Sequence, residues 1–139
     1  MHVVNQLLPD AAQMAAFLGA AEDGPFVMVN LLKFKPFATY EDGAEPRLTG
    51  AEAYARYGEG VAKLIQQQGG RIRYSGPVTG LMIGECSPLW DMVALAEYPS
   101  LAAFRAMASS PEYAAIARHR IAGLEGQLNI KTKPMVDWL

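Results

Sequence analysis

The side chains able to do chemistry in this sequence are few, and most stand in apolar company. Asn30 and Lys33 interrupt the run VMVNLLKFKP, from Val27 to Pro36. Tyr54 and Tyr57 lie one helical turn apart, Trp90 and Tyr98 bracket WDMVALAEY with Glu97 just inside it, and His119 precedes Arg120. An amide held among apolar neighbours costs on the order of 1 to 3 kcal/mol unless something bonds it. Asn30 therefore meets a neighbouring loop backbone or the Tyr57 hydroxyl, or else it faces a ligand. Arg120, close to the end of a helix, either bonds the last carbonyls of that helix or holds an anion. Glu97 would serve as a base only if an apolar pocket raised its pKa, and otherwise pairs with an arginine such as Arg73. Tyr54, Tyr57, Trp90 and Tyr98 each divide between two roles, a core aromatic with a wet tip and a pocket wall.

Recognisable catalytic patterns are missing. No nucleophile elbow, phosphate loop, dinucleotide fingerprint or paired-histidine motif occurs. The lone Cys86 lies in the loop GECSPL with no histidine near it in sequence, and the two histidines, His2 and His119, are far apart, which leaves no spacing for a metal site. We expect no cofactor and no metal. Lys and Arg number 12 against 14 Asp and Glu and form no cluster, so the electrostatic footprint of a nucleic-acid or anionic-membrane binder is lacking. The start MHVVNQLLPD is unlike a secretory leader, no apolar run approaches spanning length, and the single cysteine fits a reducing compartment. A cytoplasmic location is expected.

The elements that must position these residues follow from punctuation and periodicity. Pro9 through Ala21 predicts a short helix with Met14, Phe17 and Leu18 on one stripe, and EDGP stops it. Phe26 to Lys35 is the first strand. Thr49 and Glu52 form a capping box for a helix carrying Tyr54, Tyr57, Val61, Leu64 and Ile65, which Gly69 and Gly70 end. Arg71 to Ile83 reads as an edge strand bent at Gly76, Pro77 and Gly80, and Trp90 to Tyr98 as its hairpin partner. Ser100 caps another helix, which restarts at Ser110 and Pro111, and Leu124 to Thr132 is the last strand. The order is α+β, a ferredoxin-like βαββαβ sandwich with an extra N-terminal helix. We expect one domain over 1–139, with its core at about 24–132, the leading helix at about 9–21 and a tail at 133–139.

The segments DGPFVMVNLLKF, QGGRIRYSGPV, WDMVALAEYPS, SPEY and RIAGLEGQL, in that order, resemble the domain-of-unknown-function family 1330 of the dimeric α+β barrel superfamily. The resemblance runs from the N-terminal helix to the last strand. It implies that fold and a dimer, and it leaves activity open, because fold alone licenses none. Other members of the superfamily include small monooxygenases, isomerases and haem-degrading enzymes. Their histidines give His119 a conceivable role as axial haem ligand or general base, against that of a lone solvent-side histidine.

Side chains alternate along a strand, so Phe26, Met28, Asn30, Leu32 and Phe34 share one face and Val27, Val29, Leu31 and Lys33 the other. Both faces are apolar, yet two helices cover only one. A second copy of the sheet is the natural cover, with the N-terminal helix as competitor. A register placing Lys33 opposite Asp91 pairs Phe34 with Trp90, Val29 with Leu95, Phe26 with Tyr98 and Asn30 with Ala94, which surrounds the amide with small side chains. The functional expectation is a homodimer through the open sheet face. Each subunit would hold a mainly apolar pocket, with Asn30, Tyr57, Trp90, Tyr98 and Arg120 as polar contacts, that binds or transforms a small aromatic or carboxylated metabolite without metal or nucleotide. The competing expectation is a stress or accessory protein that acts through its dimer surface and has a filled interior.

Overall fold

A computed structural model describes residues 1–135. The tail assigned to 133–139 therefore lies mostly outside the described residues. In chain order the elements are α1 (Ala11–Leu18), β1 (Phe26–Phe34), α2 (Gly50–Gln67), β2 (Arg71–Pro77), β3 (Met92–Tyr98), α3 (Leu101–Ala108), α4 (Pro111–Gly123) and β4 (Leu124–Thr132). The helix starts follow from their caps. Thr49 accepts from the Glu52 amide while Glu52 reaches back, Ser100 accepts from Ala103, and Ser110 accepts from Tyr113 with Pro111 in the first turn. Asp10 makes the same reciprocal cap with Gln13 for α1.

The four strands form one antiparallel sheet in the order β2-β3-β1-β4, the ferredoxin-like arrangement. Between β1 and β3 the register pairs Phe26 with Tyr98, Val29 with Leu95 and Asn30 with Ala94. At its end Lys33 lies 3.2 Å from Asp91, whose other oxygen accepts the Phe34 amide at 2.8 Å. That pair is worth ~0.2 to 1 kcal/mol and fixes the sheet end. Two boundaries differ from expectation. β2 stops at Pro77, which has no amide to donate, and the chain then runs irregularly to Asp91 with Leu81, Met82 and Ile83 exposed. Trp90 consequently precedes β3 and lies outside the strand.

The inward face of the sheet presents Phe26, Met28, Leu32, Ala96, Tyr98 and Leu124 to Tyr54, Val61, Ile65, Leu101 and Met107 of the helices. The leading helix joins this same side. Phe17 of α1 meets Phe26 at 6.1 Å and Phe104 at 5.0 Å between ring centroids, so α1 does not compete for the other face. Val29, Leu31, Val93 and Leu95 alternate away from that core. The edge strand β4 makes the asymmetry plain. Gln127, Asn129 and Lys131 stand opposite the inward residues Leu32, Asn30 and Met28, whereas Leu128 and Ile130 stand opposite the outward Leu31 and Val29. Its apolar side chains point to the face that no helix among the described residues covers.

Candidate functional site

Helices α2 and α4 pack tightly on each other at one end. A Cβ on Gly123 would lie 2.5 Å from the Gly50 carbonyl oxygen, and one on Gly50 would collide with the Lys35 carbonyl, so only glycine fits at either place. That approach leaves the inner edge of α4 overhanging the sheet at a distance. Beneath the overhang the inward residues are small, Ala94 and Ala96 beside Asn30, and between floor and roof opens a hollow of about 1300 Å³. Met28, Asn30, Ala94 and Ala96 form its floor, Tyr54, Tyr57, Val61 and Ile65 one wall, and Tyr113, Ala117 and Arg120 its roof. The segment Gln6–Leu8 and α1 close the remaining side. Gln6 and Gln127 hold that segment on the sheet by paired backbone bonds of 3.2 and 2.9 Å. A far smaller recess lies at the sheet end near Phe34, Gly76 and Asp91.

A chain of hydrogen bonds crosses the hollow. The Asn30 amide donates to the Ala94 and Met28 carbonyls at 3.2 and 3.3 Å, and its oxygen accepts from Gln127 Nε2 at 2.7 Å. Gln127 Oε1 accepts from Arg120 Nη1 at 3.0 Å, and the same nitrogen donates to the Leu7 carbonyl at 2.8 Å. The half-buried amide is thus bonded by its own ladder and by Gln127, not by Tyr57 or a loop. Arg120 reaches across to the N-terminal segment and leaves the last carbonyls of its own helix alone. The Tyr57 and Tyr113 hydroxyls lie 3.1 Å apart. Burial pushes the Tyr54 hydroxyl up to about 12, and it raises Tyr57, with the Tyr113 hydroxyl adding to the effect, and Tyr98 as well. These tyrosines stay neutral near pH 7 and act as hydrogen-bond partners, not as bases.

Four of the residues singled out from sequence, Asn30, Tyr57, Tyr98 and Arg120, line this hollow. Tyr98 stacks on Phe26 at 5.5 Å and meets Phe104 edge-on at 5.0 Å. Trp90 does not join them. It lies beyond the end of β3, because the strand begins two residues later, and its buried indole N–H has no acceptor among the described residues. Gln127, Tyr113 and the Leu7 carbonyl escaped the sequence reading. The available signal for Gln127 was the polar alternation within LEGQLNIKT, which places it on the inward side once the register is known.

Glu97 and His119 take structural posts. Glu97 bonds Arg73 at 2.9 Å and Arg71 at 3.0 Å, and the Arg73 bond above all holds its carboxyl below the usual range, which is the wrong direction for a base. His119, expected to stand alone at the surface, accepts or donates a 2.6 Å bond with the hydroxyl of the buried Tyr40. Burial first, then Arg118 and Arg56, push its pKa down, so the neutral imidazole is the favoured form. The pair ties the loop after β1 to the outer side of α4. Among the described residues no group of three His, Cys, Asp or Glu side chains gathers as a metal site, and no helix is long and apolar enough to cross a membrane.

The family model for Domain of unknown function DUF1330 matches residues 44–132. A crystal structure of a protein of unknown function from Rhodopseudomonas palustris is 35% identical, covers 96% of this chain and all of its own, and superposes with a TM-score of 0.85. The methylated form of that protein gives 36% identity, 99% of this chain, all of its own and a TM-score of 0.87. A Bacteroides fragilis protein, described as dimeric with a ferredoxin-like fold, is 16% identical, with 81% of this chain and 99% of its own covered and a TM-score of 0.49. No curated protein matches.

Proposed function

The chain belongs to the DUF1330 family, whose description assigns no chemistry, and from the geometry of its interior we propose that it is a homodimer that binds a small organic molecule in the hollow between sheet and helices. The observation that carries this reading is the hollow itself. At about 1300 Å³ it exceeds what imperfect packing leaves in a domain of this size, and its walls are mostly apolar, with the Arg120–Gln127–Asn30 chain as a fixed polar strip. The competing reading, a filled interior behind a working dimer surface, requires close packing around Asn30 that the small Ala94 and Ala96 do not provide.

The dimer reading rests on the other face of the sheet. Val29, Leu31, Val93, Leu95 and Leu128 make an apolar centre, with Lys33–Asp91 at one end and Arg71 and Arg73 around Glu97 at the other. Apolar centre and charged rim are the anatomy of a protein–protein interface.

A thermal-shift screen of apolar metabolites against the wild type and Ala117→Phe tests the binding reading. Ala117 lines the roof of the hollow, so the larger ring fills it. Ligands should raise the melting temperature of the wild type by linkage and have a smaller effect on the variant. The reading fails if no compound shifts the wild type, or if both proteins shift alike.

A further inference from the structure

Resting on the reading of the hollow as a binding site, we infer that its ligand is an amphipathic monocarboxylate whose head is held by Arg120 and whose apolar body lies along Met28, Val61, Ile65 and Met107. The charge of the walls points there. The lining contains the cations Arg105, Arg120 and Lys131, and no aspartate or glutamate among the described residues. An interior built for a neutral or cationic guest would not leave a cation in its wall without a counter-ion.

Of the three cations Arg120 is the one left for a ligand. Lys131 pairs with Asp23 at 3.5 Å and lies 4.9 Å over the Phe26 ring, and Arg105 is exposed at the margin. Arg120 bonds only neutral acceptors, the Leu7 carbonyl and Gln127 Oε1, and both bonds come from Nη1. A guanidinium has five N–H donors arranged as a fork, so its Nη2 and Nε edge remains for an acceptor that no described residue supplies. A carboxylate matches such an edge with two parallel bonds.

The tyrosines complete the head site. Arg120 is near enough to act electrostatically on both Tyr54 and Tyr57. The Tyr57 and Tyr113 hydroxyls share one bond at 3.1 Å, which uses one of their two protons and leaves the other to donate. One guanidinium with a neutral hydroxyl pair balances a single negative charge, which favours a monocarboxylate over a dianion such as a phosphate monoester. The remaining walls, Met28, Val61, Ile65 and Met107 with Phe17 across from them, are apolar and suit a chain or an aryl-alkyl group.

Titration calorimetry with dodecanoate and 1-dodecanol, both below their aggregation limits, decides the matter. The wild type should bind dodecanoate about ten- to a hundredfold more tightly than the alcohol, the range expected for a charge-assisted bidentate contact. Arg120→Met should remove that preference. Because Arg120 also fastens the N-terminal segment, Gln127→Glu serves as the second variant: it neutralises the guanidinium in place and so should also lose the preference for dodecanoate, at the cost of the bond that Gln127 Nε2 donates to Asn30, which lowers its melting temperature. If alcohol and carboxylate bind equally and neither variant discriminates them, the hollow is a binding site and the carboxylate assignment is wrong. If neither compound binds the wild type, the carboxylate assignment falls, and the binding reading itself is then decided by the metabolite screen with Ala117→Phe.

Discussion

The two faces of the sheet carry nearly the same number of apolar side chains and use them in opposite ways. Toward the helices, Phe26, Leu32 and Leu124 are fully buried, yet a few ångströms away the packing gives out over Asn30, Ala94 and Ala96. Away from the helices, Val29, Leu31, Val93 and Leu95 form an apolar surface that no helix among the described residues covers. One face has a roof it does not fill, and the other has no roof among the described residues. Edge strand β4 follows the second pattern, since it sends Leu128 and Ile130 outward and Gln127, Asn129 and Lys131 toward the hollow. A strand in a lone subunit would do the reverse, because polar side chains belong in water and apolar ones under the helices.

The largest effect should come from charging the uncovered face. Leu95 stands opposite Val29 in the central pair of strands. A carboxylate there would be buried unpaired in a sheet-to-sheet contact, at a cost of at least several kcal/mol per interface. Sedimentation velocity should find wild type as a dimer and Leu95→Asp as a folded monomer. A wild type that sediments as a monomer at working concentrations, or a variant still dimeric, would refute the assignment of this face.

Next in size is a contrast within the covered face. Leu32 is fully buried and lies outside the lining of the hollow, so Leu32→Ala opens a new cavity and should cost about 2 to 5 kcal/mol. Val61 already borders empty space on one side, and Val61→Ala removes fewer contacts, for about 1 kcal/mol or less. Urea midpoints of the two variants measure the difference. Equal losses would mean that Val61 is as tightly packed as Leu32 and that the hollow closes in solution.

How far these features were legible in the sequence depends on their range. Caps at Thr49, Ser100 and Ser110 are local, and each stood where Ser or Thr preceded an apolar run. The β1–β3 register was legible too, because Lys33 with Asp91 and Phe26 with Tyr98 agree on one alignment and a slip by one residue breaks every pair at once. What one strand does alone ends there. The Arg120–Gln127–Asn30 chain needs the register of β4 and the height of α4 above the sheet, and the second depends on Gly50 meeting Gly123. The side that α1 takes was decided by Phe17 packing among Phe26 and Phe104, a contact without a local signature. Trp90 was misplaced for a local reason: strand propensity continued through it, while the ladder began only at Met92.

The rim of the uncovered face should answer to acid. Bonds from Arg73 and Arg71 depress the Glu97 carboxyl in the folded chain below its unfolded value. The stabilisation is therefore fully present above the unfolded value, about 4.3, and is lost as pH falls through the folded one. Glu97→Gln should lower stability at neutral pH by the amount these bonds contribute, and its deficit against wild type should shrink as pH falls below about 4, which flattens the acid limb of the melting curve. If the dimer covers this rim, the flattening should be larger at protein concentrations where it is assembled, and an effect independent of concentration would place Glu97 outside the interface.

The smallest effect belongs to the Tyr40–His119 bond, and it separates the hollow from its surroundings. Residues Tyr113, Ala117 and Arg120 face the hollow from α4, whereas His119 turns to the loop after β1. Burial, Arg118 and Arg56 hold the imidazole neutral, while Glu45 pulls the other way, so its folded pKa lies below the unfolded value of about 6.5. The unfolded chain then takes up more protons in that window, and stability must fall as pH drops from about 6.5 through the folded value. In the protonated ring Nδ1 can only donate to the Tyr40 oxygen, and the added charge lies near Arg118, which stands 5.0 Å over the Tyr40 ring. Tyr40→Phe should cost about 0.5 to 1.5 kcal/mol at pH 7, and His119→Gln should remove this pH dependence between pH 7 and 5. Neither change should alter ligand affinity at pH 7, because the bond lies on the far side of the helix from Arg120. A loss of binding in Tyr40→Phe would mean that the loop after β1 sets the height of α4, and with it the volume of the hollow.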